Sequence, residues 1–131
     1  MAGKTSGKIE GFKNLIAYQK AYELALETYR STRNFPKEEI YGLTAQIRRA
    51  AVSIPSNICE GYRRCSRNDY IKFLRIAHKS CAELQTQLSL SHDLSFLENA
   101  DFERLSRLGE DVSVLLWRLI VSLRESPSNP K

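Results

Sequence analysis

Apolar and polar residues alternate along this chain with the period of an α-helix. In four stretches the apolar residues recur every three or four positions, which places them on one helical face. We predict helices over about residues 12–29, 35–62, 66–92 and 95–126. The second is the clearest, and its apolar face carries Leu43, Ile47, Ala50, Ile54 and Ile58.

Particular residues are expected to begin, bend and end these helices. Pro55 has no backbone N–H to donate within the second helix, so we expect a bend there. Gly61 can adopt the left-handed conformation that closes a helix. Ser66 stands three residues before Asp69, a spacing typical of an N-terminal cap.

Short connections between amphipathic helices favour antiparallel neighbours. The sequence therefore predicts an all-α fold, an antiparallel up-down-up-down four-helix bundle. Only six glycines and four prolines occur in 131 residues, which argues against a sheet protein with many turns. We expect a flexible N-terminal arm at 1–11, the bundle at 12–125 and a flexible C-terminal tail at 126–131.

The composition is that of a soluble globular chain, with 42% hydrophobic and 27% charged residues. No apolar run approaches the roughly 20 residues that a membrane span needs, and the first residues lack the apolar segment of a secretory signal. The three cysteines are odd in number and have no CxxC spacing. We therefore expect no disulfide framework and a reducing, cytoplasmic location.

The fourth helix is expected to be capped by Ser95 or Asn99 and stopped by Ser126-Pro127. In its second half, from Val112 to Leu123, nine of twelve residues are apolar. A helix that is apolar nearly all round is buried on more than one side, whereas a small bundle covers only one side of its last helix. The sequence therefore predicts that a second subunit covers the other side.

Two blocks of sequence resemble a known family. They are FP..E.YGL..Q.RRA..SIP.NI.EG, from Phe35 to Gly61, and FL.IA..S..EL, from Phe73 to Leu84. Both are similar to the small bacterial four-helix-bundle proteins encoded by intervening sequences within 23S ribosomal RNA genes. The chain is also distantly similar to the accessory variability protein of diversity-generating retroelements, a basic pentameric barrel that contacts nucleic acid and a reverse transcriptase. The resemblance implies a four-helix bundle and a homopentamer.

Positive charge is concentrated in one region of the chain. The net charge is +5, but residues 48–79 hold eight basic and two acidic residues, so the remainder sums to −1. Such a region suits an anionic partner. The expected nucleic-acid-binding patch combines one stripe of the third helix with the turn before it, and consists of Arg63, Arg64, Arg67, Lys72, Arg75 and Lys79. The alternative is a solvated face that keeps the protein soluble.

Residues that could support catalysis or metal binding are sparse. His78 and Cys81 can share a helical face, but two ligands do not make a zinc site. Glu60 and Glu83 could form a catalytic pair, but we favour a structural polar network with Arg49 that holds the second helix against the third or against a neighbouring subunit. Glycine loops for phosphate are absent from the sequence. We expect no enzyme activity, metal or cofactor.

The sequence thus predicts a basic, non-enzymatic oligomer that binds nucleic acid, with RNA favoured. Contacts to phosphates alone carry no base information, so we expect little sequence preference. The alternative is a scaffold that holds a protein partner, such as the reverse transcriptase of a mobile element.

Overall fold

The computed structural model describes residues 11–125. A 3₁₀ turn at Gly11–Asn14 precedes helix α1, Ile16–Ser31, and another at Lys37–Glu39 precedes helix α2, Leu43–Tyr62. Helix α3 spans Arg67–Asp93 and helix α4 spans Asn99–Arg124. The described part of the chain contains helices and no strand, which confirms the all-α class. The predicted arm, apart from Gly11, and the predicted tail with the stop at Ser126-Pro127 lie outside the described residues.

Each helix packs against two others, in the cyclic order α1, α2, α3, α4 and back to α1. Two hydrogen bonds join the start of one helix to the end of its neighbour, as antiparallel packing requires. Arg48 near the start of α2 donates to the Thr32 hydroxyl just after the end of α1, 2.9 Å away. Arg67 at the start of α3 reaches the carbonyl of Leu123 near the end of α4. This pairing is consistent with the expected up-down-up-down order.

The core is a single apolar cluster along the bundle axis. The face predicted for the second helix points into it, with Ile47, Ile54 and Ile58 fully buried. All four helices contribute, and the largest fully buried apolar side chains also include Leu24, Leu74, Leu84, Leu88, Leu105, Val112, Leu116 and Ile120.

Helix α2 begins later than the sequence predicted. Residues after Phe35 form a 3₁₀ turn, and Gly42 then breaks the helical conformation with φ −113° and ψ −113°. The Glu39 carboxylate accepts a hydrogen bond from the backbone N–H of Leu43 at 3.0 Å, so an acid from the preceding turn satisfies a free donor of the first helical turn. The helix then continues without interruption through the buried Pro55 to Tyr62. The bend at Pro55 stays a prediction.

The sequence predicted that Gly61 closes α2 in a left-handed conformation, and this prediction was wrong. No glycine among the described residues has a positive φ, and Gly61 lies inside α2, buried. A Cβ built on Gly61 would lie 2.9 Å from Cβ of Phe73 and 3.1 Å from the backbone oxygen of Tyr70. Glycine is therefore needed because α3 approaches closely, and its conformational freedom is not used.

The caps of α3 and α4 differ in how well the sequence predicted them. The Ser66 hydroxyl accepts from the Asp69 N–H at 3.0 Å, which confirms the predicted cap of α3. The predicted cap of α4 was wrong, because Glu98 occupies that position and makes no side-chain cap. Ser95 instead has φ 66°, and the N–H of Phe96 bonds the carbonyl of Ser91. These are features of a Schellman motif, so Ser95 closes α3.

Candidate nucleic-acid interface

The predicted stripe on helix α3 is exposed. Lys72, Arg75 and Lys79 follow each other at three- and four-residue steps, and all three side chains face solvent. Within residues 11–125, none of the three takes part in an ion pair. The first and last are seven residues apart, or about 10 Å along the helix axis. The stripe is thus an open row of positive charge.

The three arginines of the turn before α3 differ in their surroundings. Arg63 is exposed and lies at the end of α2. Arg64 forms an ion pair with Glu60 at 2.6 Å, and its guanidinium lies 4.7 Å from the ring centre of Phe73. Arg67 donates to the carbonyl of Leu123, one of the free carbonyls at the C-terminal end of α4. Arg64 and Arg67 therefore have structural contacts that the sequence did not indicate.

A polar groove of about 530 Å³ lies between α2 and α3. We call it the α2–α3 groove, and it is lined by Gln46, Arg49, Ala50, Ser53, Ser80, Glu83, Thr86 and Gln87. The Ser53 and Ser80 hydroxyls are hydrogen bonded to each other at 2.9 Å. Asn57 donates to the carbonyl and to the hydroxyl of Ser53, at 2.8 and 3.0 Å. These bonds fix the serine pair where the two helices meet.

The expected polar network is not formed within one chain. Glu60 takes Arg64 as its ion-pair partner, whereas Arg49 and Glu83 both line the α2–α3 groove. Within the described residues, no ion pair joins Arg49 to either glutamate. Arg64 lies two residues beyond the end of α2, where its side chain reaches back to Glu60 in the last turn of the helix. The part of the prediction that places these residues against a neighbouring subunit stays a prediction.

Exposed apolar side chains occur on all four helices, and those of α1, α2 and α4 form two surfaces. The first is a groove of about 490 Å³ between α1 and α2, lined chiefly by Tyr18, Tyr22, Tyr29, Val52 and Pro55. Tyr22 is 51% exposed and Tyr29 43%, so these side chains are not part of the core of one chain. The second is on α4, where Val114 is 38% and Trp117 44% exposed. The sequence drew attention to α4 through its apolar run but did not single out the groove.

His78 and Cys81 have separate surroundings on α3. His78 Nε2 lies 3.2 Å from the hydroxyl of Ser113, and the imidazole is beside the ring of Trp117. Cys81 is buried, and burial raises the pKa of its thiol to about 12, with the negative charge of Glu110 adding to the shift. Within residues 11–125, no three potential ligands group in a way that could hold a metal ion.

The lengths and compositions of the described helices show whether any of them could span a membrane. None of those between residues 11 and 125 is both long enough and apolar enough to cross a bilayer.

Comparisons with known proteins identify the fold and the family. The chain is similar to a crystal structure of a protein of unknown function from the S23 ribosomal protein family of Bacteroides thetaiotaomicron VPI-5482, with a TM-score of 0.75 and 25% sequence identity. The match covers 81% of this chain and 96% of the other. A search of curated proteins found no match. The sequence profile of the 23S rRNA-intervening sequence protein family matches residues 13–118, and the chain therefore belongs to that family.

Proposed function

We propose that this protein is a non-enzymatic, basic homo-oligomer that binds nucleic acid, with RNA favoured. The observation that carries the proposal is the exposed stripe of Lys72, Arg75 and Lys79, none of which forms an ion pair within the described residues. Arg63 extends it at the end of α2. Cations of this kind neutralise phosphates and release counterions, which gives affinity without base readout.

Assembly of several chains would strengthen such weak contacts. The exposed apolar surfaces on α1, α2 and α4 favour association, because a lone chain leaves them in water. A contact between two different surfaces that closes on itself forms a ring, and the family resemblance favours five subunits. The stripe would then repeat on every subunit, so that one RNA strand could engage several copies at once. Light scattering should return about five times the chain mass of 15.0 kDa, whereas a mass near that of one chain would contradict this part of the proposal.

Direct binding measurements test the role of the stripe. We would reverse the charge of Lys72, Arg75 and Lys79 together to glutamate and measure binding to single-stranded RNA, single-stranded DNA and duplex DNA at several salt concentrations. Each phosphate contact to a single strand contributes about 0.7 to the slope of log K against log salt, so the slope should become shallower by roughly 2 for each stripe that the strand contacts.

A matched control separates local contacts from overall charge. Arg33, Lys37 and Arg107 are exposed and lie outside the stripe, and changing these three to glutamate alters the net charge equally. This control should bind nearly as the parent does. The proposal fails if both triple variants weaken binding equally, or if the parent binds none of the nucleic acids at low salt.

The second candidate is a scaffold for a protein partner, such as a mobile-element reverse transcriptase. The apolar α1–α2 groove with its exposed tyrosines favours this alternative, because such a surface suits a protein contact. It would take first place if the parent protein bound no nucleic acid. We also propose a reducing, cytoplasmic environment, because the three cysteines are unpaired.

A further inference from the structure

The α2–α3 groove holds polar groups whose hydrogen-bonding capacity is unused. Arg49 on α2 and Glu83 on α3 line it from opposite helices, and neither forms an ion pair within residues 11–125. The Oε1 atom of Gln87 is buried and has no hydrogen-bond partner. Buried polar atoms are nearly always paired, and a rotation of the Gln87 side chain would present this unused acceptor to the groove.

A second subunit is a poorer occupant of this groove than a small polar group. Of the side chains that line it, only Ala50 is apolar. The centres of subunit contacts are more apolar than the rest of the surface and are depleted of charged residues. Exposed apolar residues lie in the α1–α2 groove and around Trp117, and the exposed Ile76 and Leu90 of α3 are not among the residues that line the α2–α3 groove. The volume of about 530 Å³ is in the range of small-molecule sites.

The two charged walls specify what the occupant must present. The Arg49 guanidinium only donates hydrogen bonds, and the Glu83 carboxylate, when ionised, only accepts them. A fitting group therefore has adjacent acceptors on one edge and adjacent donors on another. Among the four RNA bases only guanine does, with acceptors at O6 and N7 and donors at N1–H and the 2-amino group. Adenine, cytosine and uracil each lack an edge with two adjacent donors.

The groove adjoins the stripe that we propose to bind phosphates. Glu83 follows Lys79 by four residues on α3, which is one helical turn, or about 6 Å along the axis. Both side chains are exposed. An RNA backbone on the stripe would therefore pass close to the groove, and an unstacked base could enter it. Single-stranded RNA is recognised in this way, through bases that are splayed out from the strand.

We propose that the α2–α3 groove binds a guanine base of single-stranded RNA. Arg49 donates two hydrogen bonds to O6 and N7, which is the commonest specific contact of arginine with a base. Glu83 accepts from N1–H and from one hydrogen of the 2-amino group. The Gln87 carbonyl, after a rotation of its side chain, accepts the other amino hydrogen. The inference rests on the proposed RNA binding and adds a base preference to it.

Three RNAs of equal length and charge test the preference. They are twelve-nucleotide repeats of UUG, UUA and UUI, where I is inosine, which lacks the 2-amino group. We would measure binding to the full chain by fluorescence anisotropy at one salt concentration. The parent should prefer the UUG repeat to the UUA repeat by about tenfold. Inosine should lie between the two, because it keeps the arginine contacts and loses part of the glutamate contacts.

Variants separate the groove from the stripe. Glu83→Gln should reduce the preference while it keeps the affinity for the UUA repeat, because the amide retains one acceptor but presents a donor to N1–H or to the 2-amino group, and the Arg49 contacts remain. Arg49→Lys should also reduce the preference, since lysine cannot form the paired contact. The charge reversal of Lys72, Arg75 and Lys79 should weaken binding to all three RNAs and leave their ratio unchanged. Glu103→Gln, an exposed change on α4, is the matched control and should behave as the parent does.

The possible outcomes distinguish this inference from the proposed function. Salt-dependent binding with equal affinity for the three RNAs overturns the guanine site and leaves the phosphate-binding stripe in place. An absence of binding to all three overturns both. A change in light-scattering mass for Glu83→Gln or Arg49→Lys would show that the groove is a subunit contact, and would also overturn the inference.

Discussion

Replacing Gly61 by alanine tests the closest helix contact that the structure shows. Position 61 is buried within α2, and the Cβ of an alanine would lie 2.9 Å from Cβ of Phe73. It would also lie 3.1 Å from Cδ1 and from the backbone oxygen of Tyr70. The Phe73 Cβ and the Tyr70 oxygen are fixed to the backbone of α3 and cannot rotate away. The substitution therefore forces α2 and α3 apart.

Two opposing terms set the size of the effect. In an unhindered helix interior, a change from glycine to alanine stabilises by about 1 kcal/mol. Forcing an extra carbon into a packed contact typically costs about 1–3 kcal/mol. The contact at Gly61 belongs in the upper half of that range, because the whole helix must shift. We expect a net loss of about 1–2 kcal/mol in the free energy of unfolding.

The same substitution at Gly109 on α4 is the matched control. A Cβ at Gly109 would first meet Nε2 of Gln85 at 3.2 Å, which is the end of a flexible side chain. Gly109→Ala should therefore be neutral or stabilising, through helix propensity. The assay is urea unfolding followed by far-UV circular dichroism, with all proteins at one concentration because association shifts the apparent stability.

The expected difference is large enough to measure. With a slope near 2 kcal/mol per molar urea, the midpoint for Gly61→Ala should fall by roughly 0.5–1 M. The reasoning is refuted if Gly61→Ala stabilises the protein as much as Gly109→Ala does. In that case α2 and α3 do not approach as the structure describes.

Two further predictions concern the cap of α3 and the buried ionisable groups. Ser66→Ala removes the acceptor for the Asp69 N–H and should cost about 1 kcal/mol in the same urea assay, whereas Ser66→Asp should retain most of the stability. Burial raises the pKa of Cys81 and of Tyr70 to about 12. A thiol reagent at pH 8 should therefore modify the exposed Cys65 quickly and Cys81 only after unfolding. Both groups have raised pKa values because the folded state holds them in their neutral form. Their contribution to the free energy of unfolding is therefore complete below about pH 9 and is lost as the pH rises towards 12. A free energy of unfolding that is constant over this interval would contradict the prediction.

The sequence predicted the helices well where periodicity alone decides. The buried face of α2 and the Ser66 cap follow from patterns within one element, and both are present. The start of α2 was missed because Glu39 and Gly42 belong to a turn, and the apolar period does not report turns. Ser95 was assigned to the wrong helix, because serine is unusual at the left-handed position where glycine or asparagine is expected.

The candidate site was predictable in part for a related reason. The spacing of Lys72, Arg75 and Lys79 on one helix determines a shared exposed face, and the structure places them there. Arg49 and Glu83 required knowledge of how α2 and α3 are aligned, which spacing within one helix does not give. Glu60 instead pairs with Arg64, which is only four residues away in the chain. The exposed tyrosines of α1 were ambiguous, since helical spacing suits both a core and an interface.

The contact between α2 and α3 links the stability of the bundle to the position of the proposed site. At one end Gly61 allows Phe73 to approach closely, and in the middle the hydroxyls of Ser53 and Ser80 meet at 2.9 Å. At the other end the longer side chains of Arg49 and Glu83 line the open groove. The two helices are thus held together by small residues on one side of the groove, and this contact sets the distance between the groove walls. The residues that bring α2 and α3 together therefore also position the groups that we propose to read the base.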